Sequence, residues 1–181
     1  LNDGDEVVSV MTSGGDDEIL VASTAGKCCR FSETKVRTMG RLAQGVKSIS
    51  LDKDEHVVSM VVIKKGEEDA QIITITENGY GKRNNAGDFR LTSRGAKGVK
   101  AGVFNEKTGK LVSLKQVHID DDLMIIADNG VIIRTPVKDV SLLSRSTQGV
   151  KIMKLREGAK VVCLTTSEHE EQESTDIDEV I

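Results

Sequence analysis

The sequence predicts an all-β fold of propeller-like, four-stranded blades, and three observations carry that expectation. First, a unit of about fifty residues recurs, the length of a four-stranded blade. Second, each unit contains short extended runs rich in Val, Ile and Thr, separated by turn residues. Third, no window holds a sustained 3.6-residue apolar period, so helix content should be very low.

The recurrence is specific. Residues 26–30 read GKCCR, 79–83 GYGKR and 130–134 GVIIR; downstream, 41–47 read RLAQGVK, 94–100 RGAKGVK and 145–151 RSTQGVK. The offsets are 53 and then 51 residues for both blocks, and six positions are identical in all three copies. They are Gly26/Gly79/Gly130, Arg30/Arg83/Arg134, Arg41/Arg94/Arg145, Gly45/Gly98/Gly149, Val46/Val99/Val150 and Lys47/Lys100/Lys151. Three full repeats span about 5–54, 55–109 and 110–160, with part of a fourth at 161–167.

Each element follows in order. An apolar strand opens every unit: Val7-Val8-Ser9-Val10, Val57-Val58-Ser59-Met60, Leu111-Val112-Ser113-Leu114 and Val161-Val162-Cys163-Leu164. In the second unit four strands are expected near 56–63, 71–77, 80–84 and 99–104. Asn78-Gly79 and Asn129-Gly130 mark hairpin turns whose central residues require positive φ. Leu123-Met124-Ile125-Ile126 reads as a strand buried on both faces. The repeated Gly is read as turn geometry and the repeated Val as core. Three blades are few for a ring that usually has four to eight, which points to an open arc and part of a larger domain. The opening Leu1-Asn2-Asp3-Gly4-Asp5 likewise looks internal to a longer polypeptide.

Total charge is a poor guide here. With 25 Lys plus Arg against 29 Asp plus Glu the net charge is -4, which by itself argues against nucleic acid. Seven of the acids lie in the terminal segment 168–181, which has no Lys or Arg and reads as an irregular acidic tail. Sixteen of the 25 basic residues lie in segments 26–47, 79–100 and 130–151, beside only Glu33, Asp88 and Asp139. Stacked blades would align these segments into a basic stripe suited to a phosphate backbone. Candidate contacts are Arg30, Arg41, Lys47, Arg83, Arg94, Lys100, Arg134, Arg145 and Lys151, supported by Lys27, Lys35, Arg37, Lys82, Arg90, Lys97 and Lys138. Only four aromatics are present, which argues against single-strand recognition by base stacking. No recognition helix is expected to read base edges, so contact should be sequence-tolerant.

Enzyme chemistry finds no constellation. There is no P-loop, and Gly79-x-Gly81 fails GxGxxG because Asn84 holds the third glycine position. Three cysteines (Cys28, Cys29, Cys163) and three scattered histidines provide neither a disulfide frame nor zinc spacing. Asp120-Asp121-Asp122 lacks the spaced loop of a calcium site and reads as a hairpin tip. Tyr80, the single Tyr, is read as turn packing or a phosphate hydrogen bond. No metal or cofactor is expected, and no apolar run reaches membrane-spanning length.

The segments GYGKR (79–83), RGAKGVK (94–100), ADNGVIIRTPV (127–137) and SRSTQGVK (144–151) resemble the C-terminal domain of DNA gyrase A, with the corresponding domain of topoisomerase IV as close relative. The resemblance covers essentially the whole chain. It implies a β-pinwheel, in which propeller-like blades exchange a strand with their neighbours. It also implies a non-catalytic module that bends and wraps duplex DNA around a basic rim, supporting ATP-dependent negative supercoiling in the bacterial cytoplasm at the nucleoid. Implied partners are duplex DNA, the N-terminal cleavage part of the same gyrase polypeptide and the ATPase polypeptide of gyrase. The family's Q-R-R-G-G-K-G box either lies upstream of Leu1 or is missing, the nearest string here being Ser93-Arg94-Gly95-Ala96-Lys97-Gly98. Gyrase over topoisomerase IV therefore rests on the Thr-Gln-Gly-Val-Lys ending at 147–151 and the acidic tail. An alternative from another class is an interaction scaffold whose basic stripe meets an acidic protein.

Overall fold

Three antiparallel hairpins form the frame of the computed structural model, which describes residues 2–168. They are β1 (Glu18–Ser23) with β2 (Lys27–Ser32), β4 (Gln71–Thr76) with β5 (Tyr80–Asn85), and β8 (Asp121–Ala127) with β9 (Ile132–Pro136). Each turn closes the same way: Gly26 N donates to Ser23 O at 2.8 Å, Gly79 N to Thr76 O at 2.9 Å and Gly130 N to Ala127 O at 3.0 Å. Positive φ falls on the glycine alone, +71°, +76° and +82°. The Asn before Gly79 and Gly130 is therefore not left-handed, unlike a two-residue Asn-Gly turn; the glycine instead is the fourth residue of the turn and closes it. Its lack of a side chain is required at Gly79, where a Cβ would stand 2.3 Å from Met153 O.

The remaining strands cross between repeats. β3 (Val57–Ile63) pairs with β1 and β6 (Val99–Lys100) with β2, so sheet one has the order β3-β1-β2-β6. β7 (Leu111–Val117) and β10 (Val150–Lys151) flank the second hairpin in the order β10-β5-β4-β7. β11 (Val161–Glu168) pairs with β8, giving a third sheet β11-β8-β9. The four expected runs of the second repeat thus all exist, but they do not make one sheet. Its first and last strands complete the hairpin of the preceding repeat, the strand exchange that the resemblance implies. The last run is shorter than 99–104: pairing ends at Lys100, and Ala101 N turns back to donate to Gly26 O at 2.7 Å.

Period-2 alternation sends the hairpin residues into different cores. Leu20, Ala22, Val61, Ile72, Phe89 and Leu111 fill the layer between sheets one and two. Ile73, Ile75, Leu123, Ile125, Val137 and Leu164 fill the layer between sheets two and three. A smaller cluster of Val21, Cys29, Phe31 and Ile49 covers the far face of sheet one. The run Leu123-Met124-Ile125-Ile126 departs from expectation: Leu123 and Ile125 are buried, but Met124 and Ile126 are only half-buried. Among the described residues no further sheet covers that outer face.

Other expectations divide. Among the described residues helix is confined to three 3-10 turns, Glu33–Lys35, Ala86–Asp88 and Val137–Asp139, one after each hairpin. Val7-Val8-Ser9-Val10 is exposed and unpaired, because among the described residues no preceding hairpin exists for it to join. Residues 169–181 of the acidic tail lie outside the described residues; Glu168 ends β11. Among the described residues no helix is long and apolar enough to cross a membrane.

Candidate nucleic-acid interface

The repeated arginines are mostly not on the surface. Arg30 lies on β2 at 3% exposure, where its guanidinium donates to Ala86 O at 2.8 Å and Phe89 O at 3.1 Å and pairs with Glu18 and Glu68. Burial opposes its charge, but the bonds to Glu68 and Glu18 outweigh it and hold its pKa above the usual value. Arg83 repeats the arrangement on β5, donating to Val140 O at 2.6 Å, Lys138 O at 3.5 Å and Gln71 Oε1. With an amide in place of the carboxylate, burial pulls its pKa down. Both residues fasten the following repeat's 3-10 turn to the preceding hairpin. Backbone bonds reinforce the joint: Thr92 N donates to Arg30 O at 2.8 Å and Leu143 N to Arg83 O at 3.0 Å.

A second fastener comes from Arg94 and Arg145. Arg94 donates to Lys35 O at 3.3 Å and to Lys47 O; Arg145 donates to Asp88 O at 3.1 Å and to Lys100 O. Each is half-buried and grips the repeat before its own. Lys82 is buried as well, its Nζ donating to Ser144 O, Arg145 O and Thr147 O at 2.9, 2.7 and 2.9 Å. Burial brings its pKa down to about 8, with the Arg145 charge adding and Asp88 opposing. Lys27 is half-buried against Asp52 and Glu55. Arg134 is exposed but paired with Asp122 at 2.7 Å.

The expectation that Arg30, Lys82 and Arg83 face a phosphate backbone is therefore not met. Their donors are satisfied inside the fold, and presenting them would break it. Arg94 and Arg145 also spend their guanidinium donors on carbonyls. What remains exposed is Lys35, Arg37, Arg41, Lys47, Arg90, Lys97, Lys100, Lys138 and Lys151. These residues lie on the segments that leave each hairpin, run through or past its 3-10 turn and end at the short outer strands. Lys151 Nζ stands 4.8 Å from the Tyr80 ring centroid and Lys107 Nζ 5.6 Å, so the ring supports a cation pair at this edge.

One structural signal was visible in the sequence. Twelve residues before Arg30, Arg83 and Arg134 stands an acceptor, Glu18, Gln71 or Asp122, and each meets its arginine across the hairpin. Asp122 is thus part of an ion pair and buried, and Asp121 Oδ2 accepts from His118 N at 3.0 Å. Both open β8, which pairs with β9 and β11 and not with β7, so the acidic run is a strand start and not the expected hairpin tip. Burial pushes the Cys28 thiol up, and Cys29 is buried too, whereas Cys163 is exposed.

Known proteins share this geometry. A family model described as "DNA gyrase C-terminal domain, beta-propeller" matches residues 17–64, 70–118 and 121–162, one match per repeat. The DNA gyrase A polypeptide of Salmonella typhimurium is 43% identical over 91% of this chain and 18% of its own length. That of Ureaplasma parvum is 42% identical over 89% and 19%. That of Staphylococcus aureus is 36% identical over 99% and 20%. The chain thus spans about a fifth of these relatives. Among solved structures, a DNA gyrase A C-terminal domain superposes with TM-score 0.79 at 26% identity, over 91% of this chain and 55% of that one. The C-terminal domain of a DNA topoisomerase IV superposes with TM-score 0.85 at 22% identity, over 93% and 52%, which shows the shared fold.

Proposed function

The chain belongs to the DNA gyrase C-terminal domain family, and from that premise we propose that it binds and bends duplex DNA along its exposed basic rim. The observation that carries this reading is the division of the basic residues into two populations. One is buried and fastens repeat to repeat; the other is exposed on the corresponding segment of every repeat. Phosphates would meet Lys35, Arg37, Arg41, Lys47, Arg90, Lys97, Lys100, Lys138 and Lys151, with Arg134 at the periphery. Such contacts position a duplex without reading its bases. Because strand exchange makes the blades rigid neighbours, the rim offers a fixed curved track, and DNA following it is bent.

In this reading the module performs no chemistry. It serves DNA gyrase A, wrapping DNA so that the cleavage part of the same polypeptide and the ATPase polypeptide of gyrase can introduce negative supercoils, in the bacterial cytoplasm. Gyrase is preferred to topoisomerase IV because relatives at 36–43% identity over most of this chain are gyrase A polypeptides.

The test is a salt titration of binding to a random-sequence duplex. With about six phosphate contacts, affinity falls on the order of a thousandfold between about 50 and 200 mM salt. A flat dependence contradicts the proposal. Preferential displacement of the duplex by a polyanionic peptide would instead favour an acidic protein as partner.

A further inference from the structure

The two joints between repeats place the same pair of positions at their outer strands and treat its charge in opposite ways. In the first joint Lys100 of β6 stands opposite Lys27 of β2; in the second Lys151 of β10 stands opposite Tyr80 of β5. Lys27 and Tyr80 are equivalent at the 53-residue offset, and Lys100 and Lys151 at the 51-residue offset. The loop ahead of β3 supplies carboxylates to the first pair. Asp52 and Glu55 both pair with Lys27, Glu55 at 3.0 Å, and Asp52 also reaches Lys97 at 3.5 Å. That cluster is neutralised by the chain itself.

The loop ahead of β7 supplies a cation instead. Lys107 Nζ and Lys151 Nζ both stand near the Tyr80 ring, at 5.6 and 4.8 Å from its centroid. Among the described residues neither lysine forms an ion pair, not even with Glu106 beside Lys107 in the chain. Both lysines are exposed and the ring they share is half-buried. An aromatic face attracts a cation, but two cations drawn to one ring repel each other unless an anion stands with them.

The backbone fixes this arrangement. Asn78, in the turn of the second hairpin, donates from Nδ2 to Glu106 O at 3.0 Å and Lys107 O at 3.1 Å, and from its backbone N to Thr108 O at 3.0 Å. Within the loop, Lys107 N donates to Asn105 Oδ1 at 3.0 Å, and Asn105 N donates to Oγ1 of the buried Thr108 at 2.9 Å. A braced loop thus delivers Lys107 to the ring, and strand pairing delivers Lys151.

We propose that Tyr80, Lys107 and Lys151 form an anion site that takes a phosphodiester of the duplex, the ring holding both ammonium groups toward one phosphate. The inference rests on the reading of the exposed cations as the DNA track. Lys151 belongs to that track, and Lys107, from outside the three basic segments, extends it past β10 to the turn of the second hairpin. Contact is then uneven along the rim: the second joint grips a phosphate where the first presents Asp52 and Glu55.

Tyr80 is the single tyrosine of the sequence, so ring-labelled tyrosine gives one NMR signal that reports this site. A random-sequence duplex should shift that signal in the wild-type chain, and Lys107→Gln should lose most of the shift. At low salt Lys107→Gln and Tyr80→Leu should each weaken duplex binding about two- to tenfold, and Tyr80→Phe, which keeps the ring, should restore what Tyr80→Leu loses. Lys107→Gln should leave the unfolding midpoint unchanged. Lys53→Gln, at an exposed lysine of the corresponding loop in the first repeat, should bind as wild type does. Wild-type binding that ignores salt would remove the rim reading, and this site with it. Salt-dependent binding with an unmoved Tyr80 signal, or with Lys107→Gln at wild-type affinity, overturns the site and leaves the rim reading standing. A signal that moves when residues 169–181 are removed, and not with duplex, gives the site to the acidic tail and likewise overturns it.

Discussion

Arg83 and Arg134 occupy the same place in successive repeats, yet one is buried at 7% exposure and the other has a side chain 43% exposed. Arg83 reaches the carbonyls of Lys138 and Val140 in the following repeat. Among the described residues Arg134 meets Asp122 of its own hairpin and Glu168 O at 3.2 Å. The side chain is the same and its cross-strand acceptor stands at the same position, Gln71 for one and Asp122 for the other. Among the described residues, only Arg83 has a 3-10 turn of a next repeat packed over it. A repeated arginine is therefore a fastener whose burial is created by the neighbouring blade. Charge kept in register through a repeat is not by itself a mark of ligand contact.

Truncating the arginines separates the two situations most strongly. Arg30→Ala leaves Glu18 and two carbonyls without their partner and should cost about 3–5 kcal/mol of unfolding free energy. Arg83→Ala, which leaves neutral acceptors unpaired, should cost about 2–3 kcal/mol. Arg134→Ala should stay below about 1 kcal/mol, as an exposed pair does. Denaturant titration measures all three, and a loss at Arg134 equal to that at Arg83 would break the distinction.

Glycine replacements test the same contrast at the outer strands. Gly98→Ala and Gly45→Ala both place a side chain at positive φ, at about 1–2 kcal/mol each. Only Gly98→Ala also drives a Cβ into Cys28 O, so its loss should be larger by roughly a further 1–3 kcal/mol. Equal melting temperatures for the two variants would contradict the packing of β6 on β2.

Lys82 should also give stability a pH dependence. Its pKa is about 8 in the fold and 10.5 as the ordinary value, so between those pH values the unfolded chain binds more protons. Stability contributed by this group therefore rises as pH increases from about 8 toward 10.5, and its cost is fully present below 8. Lys82→Met should flatten that rise when unfolding is compared at the two ends of the window. A variant with the wild-type pH profile would show that the three carbonyls hold the charged form without penalty.

Much of this architecture was legible from periodicity. The hairpins were marked by alternating apolar residues on either side of a repeated Gly, and the repeat length set the number of strands. Strand exchange was not legible from the residues alone, because Val57-Val58 and Val99-Lys100 have the same pattern whichever hairpin they join. The resemblance supplied it. The site was harder, since Lys and Arg read alike in sequence whether buried or exposed. Two clues were nevertheless present. Lys82 shares its repeat position with Cys29 and Ile133, both apolar, which marks an inward-facing site. The acceptors Glu18, Gln71 and Asp122 recur in step with Arg30, Arg83 and Arg134.

If the exposed cations, and not the repeated arginines, carry DNA, then replacing Arg37, Arg90 and Lys138 together with Gln must change the salt titration. With all three touching phosphates, the slope of log affinity against log salt falls in magnitude by roughly 2.7, about 0.9 for each phosphate no longer neutralised, while the unfolding midpoint stays unchanged. A variant that keeps the wild-type slope would place the DNA elsewhere on the molecule and contradict the assignment of the rim.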